Sequence, residues 1–172
     1  IPSAEAQAIL NVHNLLRRKI ALGAYQLPNG TIFPKATSAY LPLTWDCAIE
    51  ANAQAWANGK TFAHSPSTQR PGMGENLYIM RSSAPVTFDG KGKAASDAWE
   101  KEFPDFSWKS ITLTNEVFNT GIGHATQMAW QGTTSIGCGM STYPEVISGN
   151  TWNSVLVVCQ YNPAGNYLNQ NI

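Results

Sequence analysis

Apolar residues return at three- and four-residue steps near the start of the chain, at Ile9, Val12, Leu16 and Ile20, and this spacing predicts an amphipathic helix. Ser3 is placed to cap it, Glu5 meets the positive end of its dipole, and Gly23 stops it. "YQLPNGTIFPKATSAYLP" follows, with the Pro, Gly, Ser and Thr content of a long loop. A second helix is expected from Trp45 to Asn58, capped by Thr44, with Asp46 in its first turn and Gly59 just beyond its end. Its apolar stripe is Trp45, Ile49, Ala53 and Trp56.

"NLYIM" then reads as a short strand, and "KAASDAWEKEF" as a third helix ended by Pro104, with Trp99 and Glu102 sharing a face. A short helix is expected from His124 to Trp130. "TSIGCGM" and "NSVLVVCQY" read as strands, and the second is apolar on both faces, as a central strand covered on both sides would be. The segment between them, "STYPEVISGNTWN" from Ser141 to Asn153, reads as a loop, and the tail "NPAGNYLNQNI" is turn-rich. Helices on both sides of a modest sheet predict an α+β fold: a three-layer α-β-α sandwich with a central, mainly antiparallel sheet.

Length and charge narrow the classes. A chain of 172 residues suits one domain over residues 1–172, long enough to bury a substantial core. Lys+Arg equals Asp+Glu, at 11 each, so no basic stripe points to nucleic acid. "RRK", Arg17 to Lys19, reads as the exposed face of the first helix. No apolar stretch approaches the ~20 residues of a membrane span. The first residues, "IPSAEAQ", lack Met, which is compatible with a removed leader and with secretion. Asn29 in "NGT" is a glycosylation candidate, although Asn-Gly is equally a turn signal. Three cysteines allow one bridge and one leftover thiol. Cys138 and Cys159 lie in segments that look like neighbouring strands and are paired here. Cys47, inside a helical pattern, reads as a small buried hydrophobe.

The chemistry rests on few side chains. His13 sits within the first helix and reads as structural or surface. His64 in "FAHS" and His124 in "GIGHATQ" lie at element ends beside small residues. Glu75 in "MGENLY" and Glu102, one turn beyond Trp99, have similar settings. Spacing alone does not bring the four together, and no local ligand motif of the HExxH kind is present. Ser65 beside His64 reads as structural, because neighbours in sequence rarely reach nucleophile–base geometry.

"GHATQMAWQGTTSIGCG", "VVCQYNPAGNY", "FAHS" and "GENLY", with "LNVHNLLR" and "LTWDCAIEANAQAWA", resemble the signatures of the CAP superfamily: cysteine-rich secretory proteins, antigen 5 and pathogenesis-related proteins of class 1, also called SCP/TAPS. The likeness covers nearly the whole chain and is greatest to fungal pathogenesis-related-1-like secreted proteins. It implies an α-β-α sandwich with an open cleft holding His64, Glu75, Glu102 and His124. Thr126, Gln127 and Trp130 are expected to support His124. Ala125 stands where the family usually has an aromatic, which implies a more open cleft wall. The pair Cys138–Cys159 matches a family disulfide, and closing a loop of about 20 residues is worth roughly 3 kcal/mol by chain entropy.

The resemblance implies a secreted protein that binds and exports sterols or fatty acids. The apolar groove is placed either between the first helix and the His124 helix or at the 141–153 loop, with Tyr143 and Trp152 as its aromatics. Members of the family bind zinc or magnesium in the cleft. His64 and His124 are the expected metal ligands, with the two glutamates behind them, giving a weak site released as the imidazoles protonate near pH 6. No catalytic residue is assigned. The rivals are a metal-dependent hydrolase or protease built on the same four residues, and an interaction protein of defence or virulence.

Overall fold

The computed structural model describes residues 1–36, 38–106 and 111–172. Thr37, within the expected long loop, lies outside the described residues. In chain order the elements are α1 (Ser3–Ala21), β1 (Thr44–Trp45), α2 (Cys47–Ala57), β2 (Gly74–Ser82), α3 (Lys91–Glu100), α4 (Glu102–Asp105), α5 (Asn115–Phe118), α6 (Gly123–Ala129), β3 (Ser135–Ile147) and β4 (Asn150–Asn162). A short 3₁₀ turn at Ser67–Gln69 precedes β2.

The sheet runs β1-β3-β4-β2, antiparallel except where β1 joins β3. β4 is interior, and its side chains alternate between two cores as the strand period requires. Val155, Val157, Cys159 and Tyr161 face the larger core beneath α1, α3 and α6, while Leu156 and Val158 pack under α2. Helices therefore cover both faces, the α-β-α layering expected of the pattern. Cys138 and Cys159, opposite each other on β3 and β4, form the disulfide.

"GCG" in β3 is explained by the layer above it. α2 lies backbone against backbone on this strand: a Cβ on Gly137 would stand 2.2 Å from the Glu50 nitrogen, and one on Gly139 would stand 2.3 Å from the Gln54 Cα. Only glycine admits that approach. Gln54 then fixes the register, accepting from the Met140 N–H and donating to its carbonyl.

Several expectations are corrected. Ser3 makes no cap; Pro2 precedes α1, and Glu5 instead reaches across to accept from the Gly90 and Gly92 N–H groups at the start of α3. Thr44 and Trp45 form β1 rather than a cap and first turn, and Asp46 caps α2 through the N–H groups of Ala48 and Ile49. Trp56 is only partly buried, and Ala57 takes its place in the buried stripe. Pro104 does not end a long third helix. α3 stops at Glu100, and Pro104 sits in the first turn of α4, where its missing N–H costs nothing. Cys47 is unpaired but exposed.

Arg17 is no surface charge. It is 1% exposed. Its guanidinium donates to the carbonyls of Leu41, Met128, Trp130, Gln131 and Thr133 and lies 4.8 Å from the centre of the Tyr40 ring. It thus ties α1 to the end of α6, where it supplies a donor to the Met128 carbonyl and a second one to the Trp130 carbonyl, which also accepts from the Thr133 N–H.

Ser141 to Asn153 is not a flexible loop. Both strands continue through it as a β-hairpin closed by Ser148 and Gly149, each at positive φ, the backbone of a tight two-residue turn. Arg81 and the Ser154 hydroxyl hold Glu145 on its side.

Candidate functional site

Two histidine–carboxylate pairs meet at the start of β2. Glu75 and Asn76 are successive strand residues, so their side chains leave opposite faces of the sheet. Both border one solvent-open hollow of about 240 Å³, which His64, His124, Phe118 and Asn166 also line.

His64 reaches the hollow from the loop after α2. Its Nδ1 lies 2.9 Å from Glu75 Oε1. A carboxylate can only accept there, so Nδ1 carries the proton and the neutral ring leaves Nε2 as a lone pair. The Glu75 side chain is fully buried and its oxygens are filled by the Ser65 N–H and hydroxyl and by Gln160 Nε2. Burial pushes its carboxyl up, but the hydrogen bonds from His64, Ser65 and Gln160 outweigh burial and hold it below the ordinary carboxylate range. The Ser65 hydroxyl is spent on Glu75, not on His64.

His124 opens α6. Glu102 accepts from its Nδ1 at 2.6 Å and from the backbone N–H groups of His124 and Ala125, so one carboxylate both caps the helix and fixes the ring. The ring also stacks on Trp99, 6.1 Å between centres and 12° from parallel. Trp99 and Glu102 thus act together on His124, although they stand on successive helices. Glu102 itself lies behind His124 rather than on the wall of the hollow.

All four expected residues are therefore brought together. Ala125 is not: it is fully buried in the main core and forms no cleft wall, so its small size does not open the site. Thr126 and Gln127 are buried on α6 and Trp130 is buried at its C-terminal end. The Thr126 hydroxyl donates to Asn166, and Gln127 accepts from the Gly165 N–H. Tyr143 lies under α2 in the smaller core, and Trp152 pairs opposite Glu145 on the hairpin, so neither stands on a loop. Ile9, Leu16, Ala125 and Met128 fill the space between α1 and α6, where a groove was expected. Asn29 is exposed in a turn, its Oδ1 accepting from the Thr31 N–H.

Sequence reasoning missed Asn76 and Tyr161. Asn76 donates to the His124 carbonyl and the Tyr161 hydroxyl, which in turn bonds His13 Nε2. His13, fully buried, donates from Nδ1 to the Ile9 carbonyl, and burial lowers its pKa from 6.5 to about 4. A buried chain from α1 thus ends on the backbone of His124. The signal was alternation along "GENLY": if Glu75 faces one way, Asn76 must face the other.

Comparison with known proteins places this geometry. The model of the cysteine-rich secretory protein family, CAP, matches residues 10–161. The chain belongs to the CAP family. It is 36% identical to Venom allergen 3 of Solenopsis invicta over 174 residues, 96% of this chain and 70% of the relative. It is 34% identical to Venom allergen 5.02 of Dolichovespula maculata, across all of this chain and 77% of that one. Among solved structures, BmVAL-1 superposes with a TM-score of 0.89 at 35% identity, covering 99% of this chain and 82% of that one. NaASP2, solved with Zn²⁺, gives 0.82 at 35% identity, with coverage of 99% and 85%. These CAP relatives do not support the expected likeness to fungal members in particular.

The donor set can be weighed against a divalent cation. Two imidazoles with carboxylate-bound Nδ1, and with no hydrogen bond at Nε2 among the described residues, border one hollow, and two nitrogen ligands of this kind suit zinc. Among the described residues no cluster of three or more His, Cys, Asp or Glu forms a fuller metal site. A divalent ion there would find a weak, open position, with the imidazoles to hold it and the carboxylates to orient them. No helix among the described residues is long and apolar enough to cross a membrane.

Proposed function

We propose that this CAP protein is an extracellular, non-enzymatic binding protein whose His64–His124 hollow takes a divalent cation weakly. The observation that carries the reading is the matched pair of imidazoles, each fixed at Nδ1 by a glutamate and both lining the same hollow. The relative NaASP2, solved with Zn²⁺, supports it. A bound zinc would supply Lewis acidity and a positive charge. The chain's own contribution is to hold both rings in one tautomer: Glu75 through Ser65 and Gln160, and Glu102 through the N-terminus of α6. No hydrolysis is assigned, because the one serine beside a site histidine gives its hydroxyl to Glu75. Isothermal titration with zinc and with magnesium tests the reading. One weak zinc site is expected, lost in both His64→Ala and His124→Ala; undiminished zinc uptake by both variants contradicts it.

A second reading, carriage and export of a sterol or fatty acid, is favoured by the hairpin tip, where Val146 and Ile147 are exposed beside the half-buried Trp152. Radiolabelled cholesterol and palmitate should bind saturably, and Val146→Asp with Ile147→Asp should weaken that binding while His64→Ala and His124→Ala leave it intact. Absence of saturable uptake of either lipid ends this reading without touching the first.

A further inference from the structure

Behind Glu75, away from the histidine hollow, lies a second groove of about 490 Å³, twice as large and within the range of small-molecule sites. One wall is a face of α2. Asn52, Ala55, Trp56 and the following Gly59 recur at three- and four-residue steps, beside the Ile49, Ala53 and Ala57 stripe that faces the sheet. Ser65 and Gln160, both buried, and the exposed Gln69 complete it.

We propose that this groove binds a neutral saccharide. Its lining holds an indole, three carboxamides and a hydroxyl, and no charged side chain. Glu75, behind the groove, is fully buried with its oxygens occupied, and the adjacent Arg70 is tied to the Ser65 and Met73 carbonyls and to Glu75, so both charges are spent within the protein. The Trp56 ring is a fixed platform: its Nε1 donates to the Ala63 carbonyl at 2.8 Å, and it packs against the Ala53–Ala57 cluster. Ala55 and Gly59 on either side of it carry one methyl and no side chain. Asn52 Nδ2 donates to Gln160 Oε1 at 2.6 Å, which fixes the amide and leaves Asn52 Oδ1 as an acceptor. The Gln69 amide makes no hydrogen bond within the described residues and offers both a donor and an acceptor. A pyranose presents the complement of these groups, with C–H faces for the indole and vicinal hydroxyls that each donate and accept.

The test uses the intact protein and three neutral trisaccharides: cellotriose, maltotriose and tri-N-acetylchitotriose. Amide-resolved NMR titration should show saturable shifts for at least one, at about millimolar affinity or tighter, centred on the Trp56 indole and the Asn52 and Gln69 side-chain amides. Trp56→Ala should weaken binding about tenfold or more, as loss of an aromatic anchor does. Gln69→Ala, at an exposed and unbonded position that folding does not need, should weaken it as well. Failure of all three sugars to give saturable shifts, shifts centred on His64 and His124 instead, or wild-type affinity in Gln69→Ala and folded Trp56→Ala alike would each overturn the proposal.

Discussion

Arg17→Met tests how α6, and with it His124, is held in place. The substitution keeps an unbranched apolar stem of similar length and removes the guanidinium. Five carbonyls lose a donor. Those of Leu41 and Gln131 are only partly buried and can turn to water. Those of Met128 and Thr133 are buried, at 3.3 and 3.0 Å from the guanidinium, and cannot, whereas that of Trp130, at 2.7 Å, keeps the Thr133 N–H as a donor. An unsatisfied buried acceptor costs about 1–3 kcal/mol. Two at the low end of that range, reduced somewhat because a charged group no longer has to be buried and raised by the lost contact with Tyr40, give a net loss of about 2 kcal/mol. For a domain of this size that is a fall in midpoint of about 4–8 °C. Urea unfolding followed by tryptophan fluorescence, with a thermal melt by circular dichroism, measures it. Arg17→Lys should recover part of the loss, because one ammonium cannot span carbonyls on both sides of the fork. A loss below about 1 kcal/mol for Arg17→Met would refute the reasoning, since the carbonyls would then have found other donors at no cost.

Acid should destabilise the fold in a defined window. His13 is neutral in the fold with a pKa lowered to about 4, while the unfolded chain protonates it near its ordinary 6.5. The unfolded state therefore binds the extra proton, and stability present above pH ~6.5 is lost progressively toward pH ~4, by about 3 kcal/mol in all. Glu75, depressed in the fold, adds a further loss as pH falls below the ordinary carboxylate value. Urea midpoints across this range should fall with acidification, and His13→Gln should flatten the slope above pH ~5; an unchanged slope in that variant contradicts the assignment. Gly139→Ala should cost about 3 kcal/mol or more, because its Cβ meets the α2 backbone rather than a movable side chain; a variant as stable as the wild type would show that α2 can lift at no cost.

The legible parts of the fold were those written in local periodicity. The steps from Ile9 to Ile20 and the doubly apolar "SVLVVC" needed no knowledge of distant partners. What escaped was decided by distant partners. Arg17 looks like any helix-surface cation until α6 brings its terminal carbonyls over it, and Glu5 looks like a dipole-stabilising acid until α3 begins beside it. Pro104 reads as a terminator, yet it is equally at home in a first turn, and only the break after Glu100 decides between the two. The hairpin was the plainest error: "ISGN" carried a turn signal within a polar stretch, and β pairing with an already formed neighbour continued both strands through it. The four site residues came from family resemblance, because residues from four segments of the chain leave no spacing to read. Asn76 was accessible from alternation alone.

Nitrogen-15 NMR of the histidine rings, with and without zinc, tests most directly whether two imidazoles share one hollow with Nε2 free. The account predicts that His64 and His124 are both protonated at Nδ1 in the neutral state and that zinc shifts both Nε2 signals together at one stoichiometric point, leaving buried His13 unmoved. Protonation at Nε2 in either ring, or zinc shifting one ring while the other stays still, would contradict it.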